Sequence, residues 1–165
     1  METKTRNSIH TLVSMYDWHT KLFINVIDGI ADKDTQNRLN TKANHIAWIA
    51  GSIVHGRFDV GKYLGLDLKQ TSDELFKDYK GIQENVTYPS LDEYRNDWNK
   101  ISGVLKDALA NVSEEKLNSP DPMEMPGGPY TFLDTLVACT DRESYCIGQI
   151  GLWRRLLGYE AMKYS

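Results

Sequence analysis

The sequence lacks a hydrophobic run long enough to cross a bilayer. Its longest apolar stretch, residues 46–54, is interrupted by Gly51 and Ser52, whereas a transmembrane helix needs about 20 consecutive apolar residues. The first ten residues, METKTRNSIH, also lack the apolar centre of a secretory signal. We therefore expect neither a membrane partner nor a leader segment.

Clustered positive charge is also missing. The net charge is −4, and no stripe of lysine and arginine runs along the chain. Phosphate backbones are bound by such stripes, and the short run Trp153-Arg154-Arg155 is too small to act as one. We therefore expect no nucleic acid partner.

Cysteine is scarce as well. Cys139 and Cys146 are the only two, and the single helix predicted to hold both keeps them roughly 10 Å apart along its axis, which is too far for a disulfide. We expect two reduced thiols, and hence a cytoplasmic protein.

The composition is that of an ordinary globular domain. The chain has 165 residues, of which 41% are hydrophobic and 25% charged, which suffices for one domain with a real core. We therefore treat residues 1–165 as a single domain.

Four segments carry apolar residues at the three- and four-residue spacing of amphipathic helices. We predict helices at residues 8–31, 40–64, 90–111 and 131–158. Each segment begins at residues that can cap a helix: Asn7 or Ser8, Asn40 or Thr41, Ser90 with Glu93, and Thr131 with Asp134. Gly65 and Gly158 can end two of the helices in the left-handed conformation.

The segments between the helices differ in kind. Residues 65–89 are polar, with room for one or two helical turns at 73–80, and are long enough to cross the end of a bundle. Ser113 can start a short helix, and residues 118–130 hold four prolines and form an irregular loop. No β-hairpin pattern occurs. We predict an all-α fold, a four-helix bundle with a long crossover between helices 2 and 3.

The last helix contains two glycines, Gly148 and Gly151, that lower its helix propensity. We expect another backbone to approach closely there. The tryptophans, Trp18, Trp48, Trp98 and Trp153, are interpreted as core residues.

Two stretches resemble the DinB-like superfamily, which includes YfiT-type metal-dependent hydrolases. They are NHIAWIAGSIVHGRFDVGKYLG at residues 44–65 and ESYCIGQIGLWRRLLGYEAMKY at residues 143–164. The resemblance implies a four-helix bundle, often a homodimer, with a metal held inside by three histidines. The family's link to DNA damage concerns its induction, and no residue here indicates DNA binding.

The sequence departs from that ligand set at all three positions. The histidine of the second helix falls on Ser52, and the two of the fourth helix fall on Arg142 and Cys146. Glu143 remains from the family's His-Glu-x-x-His pattern. A guanidinium cannot bind Zn²⁺ or Ni²⁺, and one thiolate does not hold a transition metal. We therefore predict no metal cofactor.

A shifted metal site made of His55, Cys146 and His19 is an alternative. No ligand-spacing motif supports it, and we interpret His45 and His55 as packed or surface histidines. Cys146 could be a nucleophile activated by Arg142, but we interpret it as a small buried residue.

Arg142 has two interpretations. In the first, its guanidinium occupies the former metal space and binds an anionic ligand such as a carboxylate. In the second, it pairs with Glu143, Asp141 or Asp17, or reaches solvent, because an unpaired buried charge is costly.

Three functions remain open. The protein could be a metal-dependent hydrolase or thiol S-transferase, although the lost ligands count against it. It could bind a small, anionic molecule in a polar-lined pocket around Ser52, Arg142, Cys146 and Glu143. Its interior could instead be filled, and it would then act through a dimer or another partner. We favour the metal-free binding protein.

Overall fold

The computed structural model describes residues 2–164, with the side chains of residues 1–8 outside the described part. It contains four long helices, α1 (Glu2–Ile27), α2 (Ile46–Tyr63), α3 (Leu91–Ala110) and α5 (Phe132–Leu156), and a short one, α4 (Glu114–Leu117). No strand occurs among residues 2–164, where one isolated antiparallel bridge joins Pro120 and Thr131. The predicted all-α class is therefore confirmed.

The long helices enclose one apolar core. The main contacts run from α1 to α3, from α3 to α2, from α2 to α5, and from α5 back to α1. Side chains at the inward spacing of each helix meet at the centre, among them Phe23, Ile53, Trp98, Leu105 and Ile150, all of which are at most 1% exposed. None of the helices in residues 2–164 is long and apolar enough to cross a membrane.

The predicted starts of α3, α4 and α5 are confirmed. Ser90 accepts from the Glu93 amide while Glu93 accepts from the Ser90 amide, and Thr131 and Asp134 form the same reciprocal pair. Ser113 caps α4. These bonds satisfy amides that the first helical turn leaves unpaired, so each start is determined within four residues.

The predicted starts of α1 and α2 are wrong. α1 begins at Glu2, before Ser8, and the capping side chains proposed there lie outside the described residues. α2 begins after His45, whose Nδ1 accepts from the Trp48 amide at 3.1 Å. Thr41 instead closes a turn by donating to the Arg38 carbonyl at 2.8 Å, and Asn40 has a left-handed φ of 59°, which a helix start does not accommodate.

Three of the long helices end just before a glycine with a positive φ. Gly65 and Gly158 adopt φ of 84° and 89°, confirming both as left-handed positions after helices. Gly29, at φ 72°, ends α1 before the predicted Ala31. Arg154 also acts beyond its own helix, since its buried guanidinium donates to the Val26 carbonyl at 2.7 Å and the Asp28 carbonyl at 3.0 Å, at the end of α1.

The side chains of Phe76 and Tyr94 pack closely against the Gly51 backbone, and the sequence analysis did not predict this contact. A Cβ there would lie 2.5 Å from the Tyr94 hydroxyl oxygen and would also overlap Phe76. A Cβ at Gly148 would meet no atom within 4 Å, and one at Gly151 would make only an ordinary contact with Val26. The prediction for the two α5 glycines is therefore wrong within the described chain.

The connection between α2 and α3 contains the two turns that were predicted, at Asp73–Leu75 and Lys77–Tyr79. It is fastened to the helices by side chains. Gln70 donates to the Gly51 carbonyl at 3.2 Å, and Asp97 of α3 accepts from the Thr71 amide at 2.8 Å. These bonds hold Phe76 and its neighbours against α2.

Candidate functional site: a cavity beside a buried ion pair

A buried ion pair joins α2 to α5. Arg57 donates to Glu143 twice, from Nε to Oε1 at 2.6 Å and from Nη2 to Oε2 at 2.8 Å. The two side chains are 1% and 8% exposed. Paired N–H bonds from one guanidinium to one carboxylate are the strongest geometry for this pair, so Glu143 is held rigidly.

The remaining donors of Arg57 are used as well. Nη1 donates to Thr20 Oγ1 and Ser102 Oγ, both at 2.7 Å, and Nη2 donates to the Tyr16 carbonyl at 3.3 Å. The guanidinium carbon also lies 3.6 Å from the centre of the Tyr16 ring and 3.4 Å from that of Trp98. Every N–H of this cation therefore has a partner, and two aromatic rings cover it.

Glu143 is ionised in this setting. Burial by itself would raise its pKa, but the charge and hydrogen bonds of Arg57 outweigh burial and hold the pKa below its usual value. His19 Nδ1 lies 3.3 Å from Glu143 Oε2 and also lowers the pKa of Glu143, by a smaller amount than Arg57.

Arg142 is exposed, so the interpretation in which it reaches solvent is confirmed. Its Nη2 donates to Ser52 Oγ at 2.5 Å and its Nη1 to the Ser52 carbonyl at 3.3 Å. It packs over Gly56, where a Cβ would lie 3.5 Å from Nη1. No ion pair of the described residues involves Arg142, since Glu143 pairs with Arg57, and Asp17 with Lys106. Ser52 and Arg142 therefore meet, as the family resemblance implied, and Arg142 acts on Asp59 only at longer range, where its charge opposes the rise that burial causes in the pKa of that carboxyl.

A cavity of about 210 Å³ lies between these groups. Its wall is mainly apolar, with polar groups contributed by α1, α2 and α5. The lining comprises Leu12, Tyr16, Trp48, Ser52, Ile53, His55, Gly56, Arg57, Asp59, Val60, Phe76, Tyr79, Lys80, Leu105, Leu109, Met123, Leu136, Cys139, Thr140, Arg142 and Glu143. Three of the four residues proposed from the sequence are present, and Cys146 is not among them.

His55 is placed between two carboxylates at the cavity wall. Its Nε2 lies 3.3 Å from Asp59 Oδ2 and its Nδ1 3.5 Å from Asp73 Oδ1. Burial raises the pKa of Asp59, while His55 opposes the shift. The connection segment thus contributes a charge, through Asp73, next to the cavity.

Both cysteines are free thiols. Burial raises the pKa of Cys146 despite the opposing charge of Arg142, and it raises that of Cys139 to about 11. Both therefore stay protonated near neutral pH, and the structure supplies no activated thiol nucleophile at either position.

The donor set does not suit the metal that the resemblance implies. At the former ligand positions, Ser52 Oγ accepts from the Arg142 guanidinium, which directs positive charge at any ion placed there. For the alternative set, His19 lies against Glu143, His55 lies between Asp59 and Asp73, and Cys146 is buried outside the cavity lining. Within residues 2–164, no group of three or more His, Cys, Asp or Glu side chains is placed to hold a metal ion.

The sequence analysis did not identify Arg57 as a site residue, although it lies within the apolar periodicity of α2, between Ile53 and Val60. A charged residue on an inward helical face is a signal for a buried partner of opposite sign. The tryptophan assignment was also only partly right, since Trp18 is 54% exposed and Trp48 lines the cavity.

Neither a scan against protein-family models nor a search of curated proteins found a match to this chain.

Proposed function

We propose that the protein is a metal-free four-helix bundle of the DinB-like class that binds a small molecule in its cavity. The closed ring of contacts among the four long helices supports the bundle, with residues 65–89 as its crossover. The two motif stretches support the class. The presence of a cavity, rather than a filled interior, favours a binding protein over one that acts only through partners.

The ligand we propose is small, largely apolar and anionic. The observation that carries this is Arg142, an exposed permanent cation that lines a mainly apolar cavity and donates to Ser52. No carboxylate of the described residues lies within ion-pair distance of it, although its charge opposes the rise that burial causes in the pKa of Asp59. The lining contains two further cations, Lys80 and the paired Arg57, and two carboxylates, Asp59 and Glu143. Since a cavity of roughly 150 Å³ holds benzene, about 210 Å³ suits a short chain or single ring bearing a carboxylate.

The alternative, a metal-dependent hydrolase or thiol S-transferase with a shifted site, is less well supported. It requires His55, His19 and Cys146 to converge on one ion, and these side chains have other neighbours. Elemental analysis of the purified protein distinguishes the two proposals. A stoichiometric transition metal would establish the alternative.

The binding proposal is tested with matched anionic and neutral probes. Calorimetric titration should show that hexanoate and benzoate bind and that hexanol and benzyl alcohol bind at least tenfold more weakly. Arg142→Gln should lower the affinity for hexanoate at least tenfold and change that for hexanol little. Arg95→Gln is the control, because Arg95 is a partly exposed arginine of α3 outside the cavity lining. If hexanoate does not bind, or binds equally to the Arg142 variant, the proposal is wrong and action through a partner gains weight.

We also propose a homodimer formed through the α5 stripe, defined as Asp141, Tyr145, Gly148, Leu152 and Arg155. Tyr145 and Leu152 are 69% and 61% exposed and flank Gly148, beside which the chain has open space. A two-fold axis through Gly148 would place Asp141, seven residues before it, opposite Arg155 of the second copy, seven residues after it. The stripe is therefore complementary to itself in shape and charge.

We propose a cytoplasmic location because the protein has two free thiols. Cys139 and Cys146 are unpaired, and free thiols persist in reducing compartments.

A further inference from the structure

The cavity changes in character from its buried to its exposed side. Its buried wall is apolar and includes Leu105, Leu109 and Leu136, each at most 2% exposed. Two groups of opposite charge line the side that reaches solvent, where Arg142 is exposed and the Asp59 side chain is 35% exposed. A cavity of this kind suits a ligand with one apolar end and one charged end.

Arg142 and Asp59 lie along the same face of α2. The guanidinium of Arg142 bonds to Ser52 and packs over Gly56, which is four residues later. Asp59 follows Gly56 by three residues, a step that keeps to one helical face and advances about 4.5 Å along the axis. A positive and a negative group therefore border one cavity about one helical turn apart.

Asp59 is the carboxylate of the lining that can accept a further cation. The other one, Glu143, already receives two N–H bonds from Arg57. Asp59 Oδ2 lies 3.3 Å from His55 Nε2, and no hydrogen bond from the described residues reaches Asp59 Oδ1. Burial raises the pKa of Asp59, although His55 and Arg142 oppose the shift. A ligand cation beside Asp59 would favour its ionised form in the same way.

We propose that the cavity binds an α-amino acid with an apolar side chain. The ligand carboxylate binds Arg142, its ammonium group binds Asp59, and its side chain lies against the buried leucines. This inference rests on the proposed function and extends it, because the anionic group becomes part of a zwitterion. The two charged groups of an α-amino acid are joined through a single carbon, so one ligand can reach side chains on neighbouring turns of α2.

The test compares free leucine with 4-methylpentanoate, which has the same carbon skeleton and lacks only the amino group. In calorimetric titration at pH 7, wild type should bind leucine about threefold more tightly or better, the scale of a partly exposed ion pair. A third ligand, 2-hydroxy-4-methylpentanoate, has a neutral hydroxyl in place of the ammonium group. It should bind more weakly than leucine, because the positive charge is lost.

Asp59→Asn removes the carboxylate charge and keeps the size of the side chain. It should abolish the preference for leucine and leave the affinity for 4-methylpentanoate unchanged or higher, because a negative charge near Arg142 is removed. Asp73→Asn is the matched control, since Asp73 Oδ1 also faces His55, at 3.5 Å from Nδ1, but Asp73 lies outside the cavity lining. This variant should retain the preference.

Equal binding of leucine and 4-methylpentanoate by wild type would overturn the inference. So would a preference that survives in Asp59→Asn, or one that Asp73→Asn also abolishes, since the effect would then act through His55. If Asp59→Asn does not fold, the three ligands compared on wild type decide the question. If 4-methylpentanoate binds and leucine binds no better, only this inference fails, whereas failure of both to bind removes the proposed function with it.

Discussion

Arg57 shows how a permanent charge can be stable at the centre of an apolar core. Moving an ion pair out of water costs several kcal/mol per ion, and the attraction between the charges compensates only when geometry is good and every polar atom is bonded. Here Glu143 accepts two bonds, three oxygens take the other donors, and Tyr16 and Trp98 cover the faces of the guanidinium. The Arg57 side chain, which belongs to α2, is therefore bonded to α1, α3 and α5.

Replacing Arg57 by Met should leave Glu143 as an uncompensated buried carboxylate. We expect the free energy of unfolding to fall by about 3–5 kcal/mol, measured by urea denaturation at pH 7. Lys106→Met, which breaks the half-exposed pair with Asp17, is the matched control and should cost less than about 1 kcal/mol. If the Arg57 variant is insoluble, Glu143→Gln tests the same pair. A loss below about 1 kcal/mol in either variant would contradict the interpretation.

At the scale of elements, α2 carries most of the site. Trp48, Ser52, His55 and Asp59 recur at spacings of three and four residues, which places them on one face toward the cavity. α2 starts at the cap formed by His45, and this cap requires the neutral form of the His45 side chain. Burial, together with the charge of Arg38, lowers the pKa of His45 to about 4, so that Nδ1 can accept the Trp48 amide.

The cap at His45 predicts a pH dependence of stability. The folded pKa lies below the unfolded value of 6.5, so the stabilisation is complete above pH 6.5 and declines as pH falls toward 4. The loss should total about 1–3 kcal/mol across this window. His45→Asn, which keeps a capping oxygen but does not titrate, should show a shallower decline in denaturation series from pH 7 to pH 4.

His45→Ala supplies the control for the cap. It should be less stable than wild type by about 1 kcal/mol at pH 7 and, like the Asn variant, should lack the extra slope. Identical slopes in all three proteins would show that His45 does not link protonation to folding.

At the scale of the whole molecule, the exposed α5 surface and the cavity are separate. The cavity lies among the helices, whereas Tyr145, Gly148 and Leu152 of the α5 stripe are exposed. Gly148 lowers helix propensity by up to about 1 kcal/mol relative to alanine, and no contact within the described chain compensates for it. In the proposed dimer, a second copy across the stripe would provide such a contact.

The proposed dimer predicts a charge-swap result. Asp141→Lys and Arg155→Glu should each weaken self-association, because each places like charges opposite one another across the two-fold axis. The double variant should restore association close to the wild-type level, as measured by sedimentation equilibrium at low salt. A monomeric wild type, or a double variant weaker than both single variants, would contradict this interface.

Local chemistry made much of the fold predictable. The caps at Ser90, Ser113 and Thr131 and the left-handed glycines at 65 and 158 act within a few residues, so their effect follows from the sequence around them. The starts of α1 and α2 were mispredicted because Ser8, Asn40 and Thr41 resemble caps in composition. At Asn40 and Thr41, a turn closed by Arg38 satisfies the backbone instead.

By itself, the sequence determined the helical class and the helix ends set by local hydrogen bonds and glycines, whereas the proximity of positions 52 and 142 was suggested by the family resemblance. Only the tertiary structure decided where Glu143 directs its charge, because its partner Arg57 lies 86 residues away, beyond the reach of any local pattern. The cavity arises in the same way. It depends on how four helices and the 65–89 connection fill the space between them, and packing is a property of all these surfaces together.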